Sequence, residues 1–291
     1  MTATVTFIGF GEAGRAFAPA GARVFDCKTL SDATRPEMLA AFAASQVQGF
    51  EDPAEALSQA DVVLCLVTAD QAVAAARDYA PMLAKGALWL DMNSVAPGSK
   101  RRAADLIEAA GARYADVAVM APVLPQRHSV PLLVAGSHAD AAAAALQVLG
   151  FAHVSVAGAN IGDASAIKMI RSVMVKGLEA LTTECALAAA RAGVTDAVIA
   201  SLNASWKEQG WGERFDYNLD RMMAHGIRRA AEMEEVAATL SDLGVDPLMT
   251  RGTIARQRAI GALGITPPEG LASKLAAIDT PDTESDSVRA A

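Results

Sequence analysis

From residue 4 to residue 158 the chain repeats one pattern, a short β-rich run followed by a helical segment. TVTFIGF (4–10), ARVFD (22–26), VQGF (47–50), DVVLCLV (61–67) and ALWLDMN (87–93) are such runs, and ARYADVAVM (112–120), PLLVAG (131–136) and HVSVAG (153–158) continue the series. Alternation of this kind means parallel strands joined by helical crossovers, an α/β doubly wound sheet. After Gly158 the pattern changes. Residues 162–192 form a nearly uninterrupted helical pattern closed by Gly193, and segments near 195–209, 216–240, 245–263 and 268–277 are helical as well. The predicted organisation is a sheet domain over residues 1–160, an all-helical domain over 161–278, and a polar, disordered tail over 279–291.

The sheet domain opens on a motif with a known physical use. Gly9-Phe10-Gly11-Glu12-Ala13-Gly14 is a GxGxxG directly after an apolar strand and at the start of a helix. The first glycine permits a tight turn, the second lets backbone approach a pyrophosphate, and the third allows close strand–helix packing. The helix N-terminus then presents free N–H groups to the anion. The first helix is clipped to about two turns, because Pro19 follows so soon. At the end of the next strand, 17 residues after Gly9, stands Asp26. A carboxylate there accepts hydrogen bonds from a ribose diol and repels a 2′-phosphate, which favours NAD, with NADP as the alternative because Lys28 is close by. Val67, Thr68 and Ala69 follow the fourth strand, where such a sheet passes its ligand crevice. They are expected to contact the cofactor, with Thr68 or Asp70 also capping the next helix.

Composition narrows the partners. A formal net charge of −8 leaves no basic surplus to displace counterions from phosphates, so a general nucleic-acid binder is excluded. Cys27, Cys65 and Cys185 are scattered and form neither a disulfide framework nor a zinc spacing, and the histidines make no metal constellation. No basic leader opens the sequence and no apolar run approaches the roughly 20 residues of a membrane span, so the chain reads as cytoplasmic.

With these motifs in place the sequence resembles the β-hydroxyacid dehydrogenase and 6-phosphogluconate dehydrogenase superfamily, in a branch with its own phosphogluconate-dehydrogenase-like C-terminal domain. Besides the glycine turn, two segments carry the resemblance. Asp91-Met92-Asn93-Ser94-Val95-Ala96-Pro97 matches the stretch that offers hydroxyl and amide groups to the substrate, which places Asn93 and Ser94 at the substrate and Asn93 also at the cofactor. Lys168, soon after Gly162, matches the lysine that serves as general acid/base on the helix between domains. The family's asparagine one turn later is Ser172 here. The family's glycine-rich substrate loop reads Leu124-Pro125-Gln126-Arg127-His128, so Arg127 or His128 supplies charge there or stands as a plain loop residue.

The resemblance implies an NAD(P)-dependent dehydrogenase that moves a hydride between nicotinamide and the carbinol carbon of a small 3-hydroxy acid or sugar acid. It also implies a homodimer packed through helical domains. As a base an amine must be neutral, so Lys168 needs a pKa below the ordinary lysine range; burial and the like charges of Arg171 and Lys176 act in that direction. Residues 168, 171, 172, 176 and 179 share one arc of the helix, and the wide apolar remainder predicts a mostly buried helix whose polar stripe lines a cleft. Arg171, Ser172 and Lys176 are then candidates to grip an anionic substrate, with Lys176 alternatively paired to Glu179. Relatives of this architecture also reduce imines, and a lapsed, NAD(H)-binding regulator is the reading from another class. Arg221, His225, Arg228 and Arg229 gather on one later helix, either closing a site over an anion or forming a solvated face. Trp206 and Trp211 read as core or interface residues.

Overall fold

The computed structural model describes residues 3–205 and 210–279. Each β-rich run is a strand: β1 (Val5–Ile8), β2 (Arg23–Phe25), β3 (Gln48–Phe50), β4 (Val62–Cys65), β5 (Leu88–Asp91), β6 (Arg113–Val119), β7 (Leu132–Ala135) and β8 (Val154–Gly158). The connecting helices are α1 (Glu12–Phe17), α2 (Arg35–Ala44), α3 (Pro53–Leu57), α4 (Ala72–Tyr79), α5 (Pro97–Ala109), α6 (Val123–Gln126) and α7 (Ala139–Val148). The strands form one sheet in the order β3-β2-β1-β4-β5-β6-β7-β8. Chain order reverses between β1 and β4, and ligands bind in such sheets at that crevice, beyond the strands' carboxyl ends.

Neighbouring strands are parallel except β6 and β7, which are antiparallel with Val117 opposite Val134. The reason lies in the connection, which carries a four-residue helix, α6, too short to return the chain across a sheet face. β4 and β5 are buried along their whole length, as strands covered on both faces must be. Alternate residues feed two cores. Phe7, Leu64 and Leu90 join Phe10 and Phe17 on one face, while Ile8, Val63, Cys65 and Trp89 join Phe25 and Ile107 on the other.

The remaining elements are helical: α8 (Asp163–Arg191), α9 (Thr195–Ser205), α10 (Trp211–Asp242), α11 (Leu248–Gly261) and α12 (Leu271–Asp279). The chain divides into two compact units, Met1–Val173 and Met174–Ala291. The strand pattern ends near residue 160, but the first turns of α8 pack with the sheet unit. No described helix is long and apolar enough to cross a membrane. Trp206 and the tail from residue 280 lie outside the described residues.

Candidate functional site

The glycine turn after β1 separates two kinds of glycine. Gly9 has φ +93°, and a Cβ there would lie 2.5 Å from the Leu66 carbonyl oxygen. A Cβ on Gly14 would lie 2.3 Å from the Gly9 carbonyl oxygen. Both are demanded by the protein's own packing. A Cβ on Gly11 would meet nothing within 4 Å. This middle glycine faces open space, which leaves its backbone open to the approach of a pyrophosphate. Glu12 and Ala13, the first residues of α1, line the same crevice, a cavity of about 340 Å³ that also takes in Val67, Ala69, Asn93 and Lys168.

Asp26 has a part in shaping that turn. Its carboxylate is buried and accepts the Phe10 N–H at 2.7 Å and the Lys28 N–H at 2.9 Å. It therefore ties the glycine turn to the end of β2 while keeping further lone pairs for a ligand. Thr68 stands at the cap of the short turn Ala69–Gln71, but its side chain makes no capping hydrogen bond. The Asp70 carboxyl is held below its ordinary value by the Gln71 amide and then by the Thr68 hydroxyl. In the same way Pro97, with Ala96 at the cap, opens α5 without help from Ser94.

Behind the crevice lies a charge network that motif reading missed. Lys100 is fully buried, with Nζ 3.0 Å from Asp91 Oδ1 and 3.3 Å from Asp116 Oδ1. The Tyr114 hydroxyl donates to Asp91 Oδ2 at 2.7 Å. Burial, then the Asp91 charge, raises the Tyr114 pKa well above its ordinary value. Asn93 donates Nδ2 to Asp91 Oδ1 at 2.7 Å and to Cys65 Sγ at 3.3 Å. Burial, again reinforced by Asp91, pushes the Cys65 thiol up to about 12, so it stays protonated. With its amide nitrogen engaged, Asn93 leaves Oδ1 buried and without a partner.

Asp116 also positions the catalytic candidate. Its Oδ2 accepts the Ser165 N–H at 2.9 Å in the first turn of α8, where a carboxylate complements the helix end. Lys168 sits three residues further on, half-buried, and its Nζ donates to Ser94 Oγ. The Ser172 hydroxyl donates to the Lys168 carbonyl at 2.9 Å, so its proton is committed within the helix. Two expectations change here. Ile170 and Val173 are 70 % and 71 % exposed, so the apolar arc at the start of α8 is open rather than buried. Periodicity tells which residues share a face but not what covers it. The His128 ring packs against Phe151 and Phe17, at centroid distances of 4.7 and 5.8 Å, so it joins an aromatic cluster rather than the crevice lining. Arg127 carries φ +47°, a conformation that favours glycine. Arg171 is exposed, and the side chains of Lys176 and Glu179 lie outside the described residues.

A family model described as the NAD binding domain of 6-phosphogluconate dehydrogenase matches residues 4–158. The chain belongs to that family. A second model, for a domain of unknown function (DUF1932), matches residues 189–260. Among solved structures, a conserved hypothetical protein from Sinorhizobium meliloti 1021 is 36 % identical, covers 96 % of both chains and superposes with a TM-score of 0.61. The conserved protein MTH1747, of unknown function and described as similar to 3-hydroxyacid dehydrogenases, is 28 % identical over 89 % of this chain and 96 % of its own, with a TM-score of 0.57. An imine reductase from Streptomyces aurantiacus shares the fold at 23 % identity, over 95 % of this chain and 99 % of its own, with a TM-score of 0.69.

The NAD-binding domain therefore has the residues it needs. Gly11 leaves room for a pyrophosphate, Glu12 and Ala13 open the helix behind it, and the orphaned Asn93 Oδ1 awaits a donor. The missed residue had a faint signal. Lys100 shares the phase of Ala103, Ala104 and Ile107, the buried stripe of α5, and so breaks an apolar pattern.

Proposed function

We propose that this NAD(P)-dependent oxidoreductase acts on the carbinol or carbonyl carbon of a small 3-hydroxy acid or sugar acid, with Lys168 as general acid/base. The observation that carries the reading is the Lys168–Ser94 hydrogen bond at the crevice that also holds the glycine turn and Asn93. Bound NAD or NADP supplies the hydride acceptor or donor. In oxidation a neutral Lys168 takes the hydroxyl proton as hydride leaves carbon; in reduction the ammonium returns that proton to oxygen. Ser94 accepts from Lys168 and keeps its own hydroxyl proton for the substrate oxygen. Asn93 offers Oδ1 to a hydroxyl or amide, its orientation fixed by Asp91.

The test is a screen of aldonic and 3-hydroxy acids, followed at the NADH absorbance with each cofactor. Lys168→Met is expected to lower kcat by about 10²- to 10⁴-fold, the usual worth of general acid–base catalysis, with NADH affinity unchanged. Full activity in Lys168→Met would end the proton-transfer role. A second reading is imine reduction, the activity named for the Streptomyces relative, and it is supported by a likeness that spans both units of the chain. Turnover of cyclic imines without hydroxy acids selects it.

A further inference from the structure

The helical unit contains a second cavity, of about 300 Å³, lined by Tyr217, Asn218, Arg221, Met222, Arg229 and Gln257. Its geometry follows from a close helix crossing. A Cβ on Gly226 would lie 2.3 Å from the Gln257 carbonyl oxygen, and one on Gly261 would lie 2.5 Å from the Ile227 nitrogen. α10 and α11 thus run nearly backbone to backbone, which brings Gln257 of α11 beside Arg229, three residues beyond Gly226.

Tyr217, Arg221 and Arg229 are spaced by four and eight residues along α10, so their side chains fall along one side of it. Among the described residues no ion pair engages either guanidinium, and no carboxylate lines the cavity. Arg229 Nε and Gln257 Oε1 are both buried without a hydrogen-bond partner. A buried donor and a buried acceptor left unmade are each costly, and two guanidinium groups lining one cavity repel each other.

We infer that this cavity binds a small anion that also carries a hydroxyl group. The anionic oxygens answer Arg221 and the Arg229 Nε–H, for which guanidinium is the preferred partner of carboxylate and phosphate. The hydroxyl donates to Gln257 Oε1, which a bare anion cannot satisfy. Tyr217 and Asn218 supply further polar groups at the exposed rim.

Three probes separate the two demands: glycerol 3-phosphate (charge and hydroxyl), sulfate (charge alone) and glycerol (hydroxyl alone). Each is titrated calorimetrically into the full chain with NADH in excess, so that the phosphate-binding turn is filled. Glycerol 3-phosphate is expected to bind roughly tenfold or more tighter than sulfate, and glycerol not measurably, as hydrogen bonds to charged groups dominate. Arg221→Gln, at a half-exposed position that leaves the core intact, is expected to weaken both anions at least tenfold. Gln257→Leu is expected to erase the preference for glycerol 3-phosphate while sparing sulfate. Equal affinities for the two anions in the unmodified protein, or unchanged affinity in Arg221→Gln, would overturn the inference. A circular-dichroism spectrum matching the parent's establishes that each variant is folded.

Discussion

Two lysines, one in each unit, are each held by two aspartates, and they show how differently the units use the same pair of charges. Lys100 in the sheet unit meets Asp91 and Asp116 at 3.0 and 3.3 Å, with all three side chains at most 1 % exposed. Lys274 in the helical unit meets Asp216 and Asp220 at 2.8 and 3.5 Å, but those carboxylates are 36 % and 47 % exposed. The first cluster is walled in by strands and α5; in the second Lys274 is itself only 4 % exposed, and it is the two α10 carboxylates that reach water. The surroundings match. Trp89, Tyr114 and Phe25 are fully buried in the sheet unit, whereas the helical unit leaves Ile199, Leu202, Trp211 and Phe215 exposed, so that of the two positions expected for Trp211, core or interface, the core is not the one it takes. Charge pairing in the sheet unit is closed off from water altogether; in the helical unit the lysine is buried but its carboxylates reach solvent.

The largest effect expected is therefore from Lys100→Met. The change leaves two aspartates buried without their cation, and breaking such a buried pair costs about 3–5 kcal/mol. Urea unfolding reads the loss directly. The comparison fails if Lys100→Met is no less stable than the parent. It sharpens if Asp91→Asn restores part of the loss in the double variant, since that removes one of the stranded charges.

Lys100 also marks the limit of what sequence shows. β4 and β5 were legible because continuous apolar runs bounded by turn signals have few alternatives, and α8 because its period persists for eight turns. The glycine turn, Asn93, Ser94 and Lys168 were legible because their chemistry is concentrated in short motifs. Lys100 stands in Lys100-Arg101-Arg102, which reads as a solvated cationic face until β5 and β6 are placed beside it. His128 was out of reach for the converse reason. A loop residue's neighbours depend on where the loop folds, and this one folds onto Phe17 and Phe151.

A third buried charge tests how far hydrogen bonds can hold one in the helical unit, with no ion pair to it among the described residues. The Glu184 side chain accepts the Met249 N–H at 2.8 Å, the Thr250 N–H at 3.1 Å and the Thr250 hydroxyl at 2.6 Å, capping the first turn of α11. Burial pushes its pKa up, but the Thr250 hydroxyl, the Met249 and Thr250 N–H groups and the nearby Arg251 charge together outweigh that and leave it below the ordinary value. A depressed carboxylate contributes stability above its unfolded pKa and loses it as pH falls through the folded value. Glu184→Gln is expected to cost about 1.5–3 kcal/mol at neutral pH, the range for hydrogen bonds to a charged group. Urea titrations at pH 7 and pH 3 should show the gap between parent and variant closing at the acid end. A gap that stays constant across that range would mean that the ionised form has no special hold on α11.

The smallest effect is expected at Lys274. Its pKa is raised by the hydrogen bond to Asp216 and by the two carboxylate charges, against a weaker opposing effect of burial. A raised lysine contributes its full stability below the unfolded pKa and loses it as pH climbs through the folded one, so the pair is intact at neutral pH. The aspartates remain in water, so counterions reach them and screen the attraction. Lys274→Met should lower Tm less than Lys100→Met does, and 1 M sodium chloride should shrink that decrease while leaving the Lys100 effect in place. If salt leaves the two effects in unchanged proportion, exposure of the carboxylates is not what separates the two clusters. The contrast would then have to come from the rigidity of the strands around Lys100, which a screened Coulomb interaction does not contain.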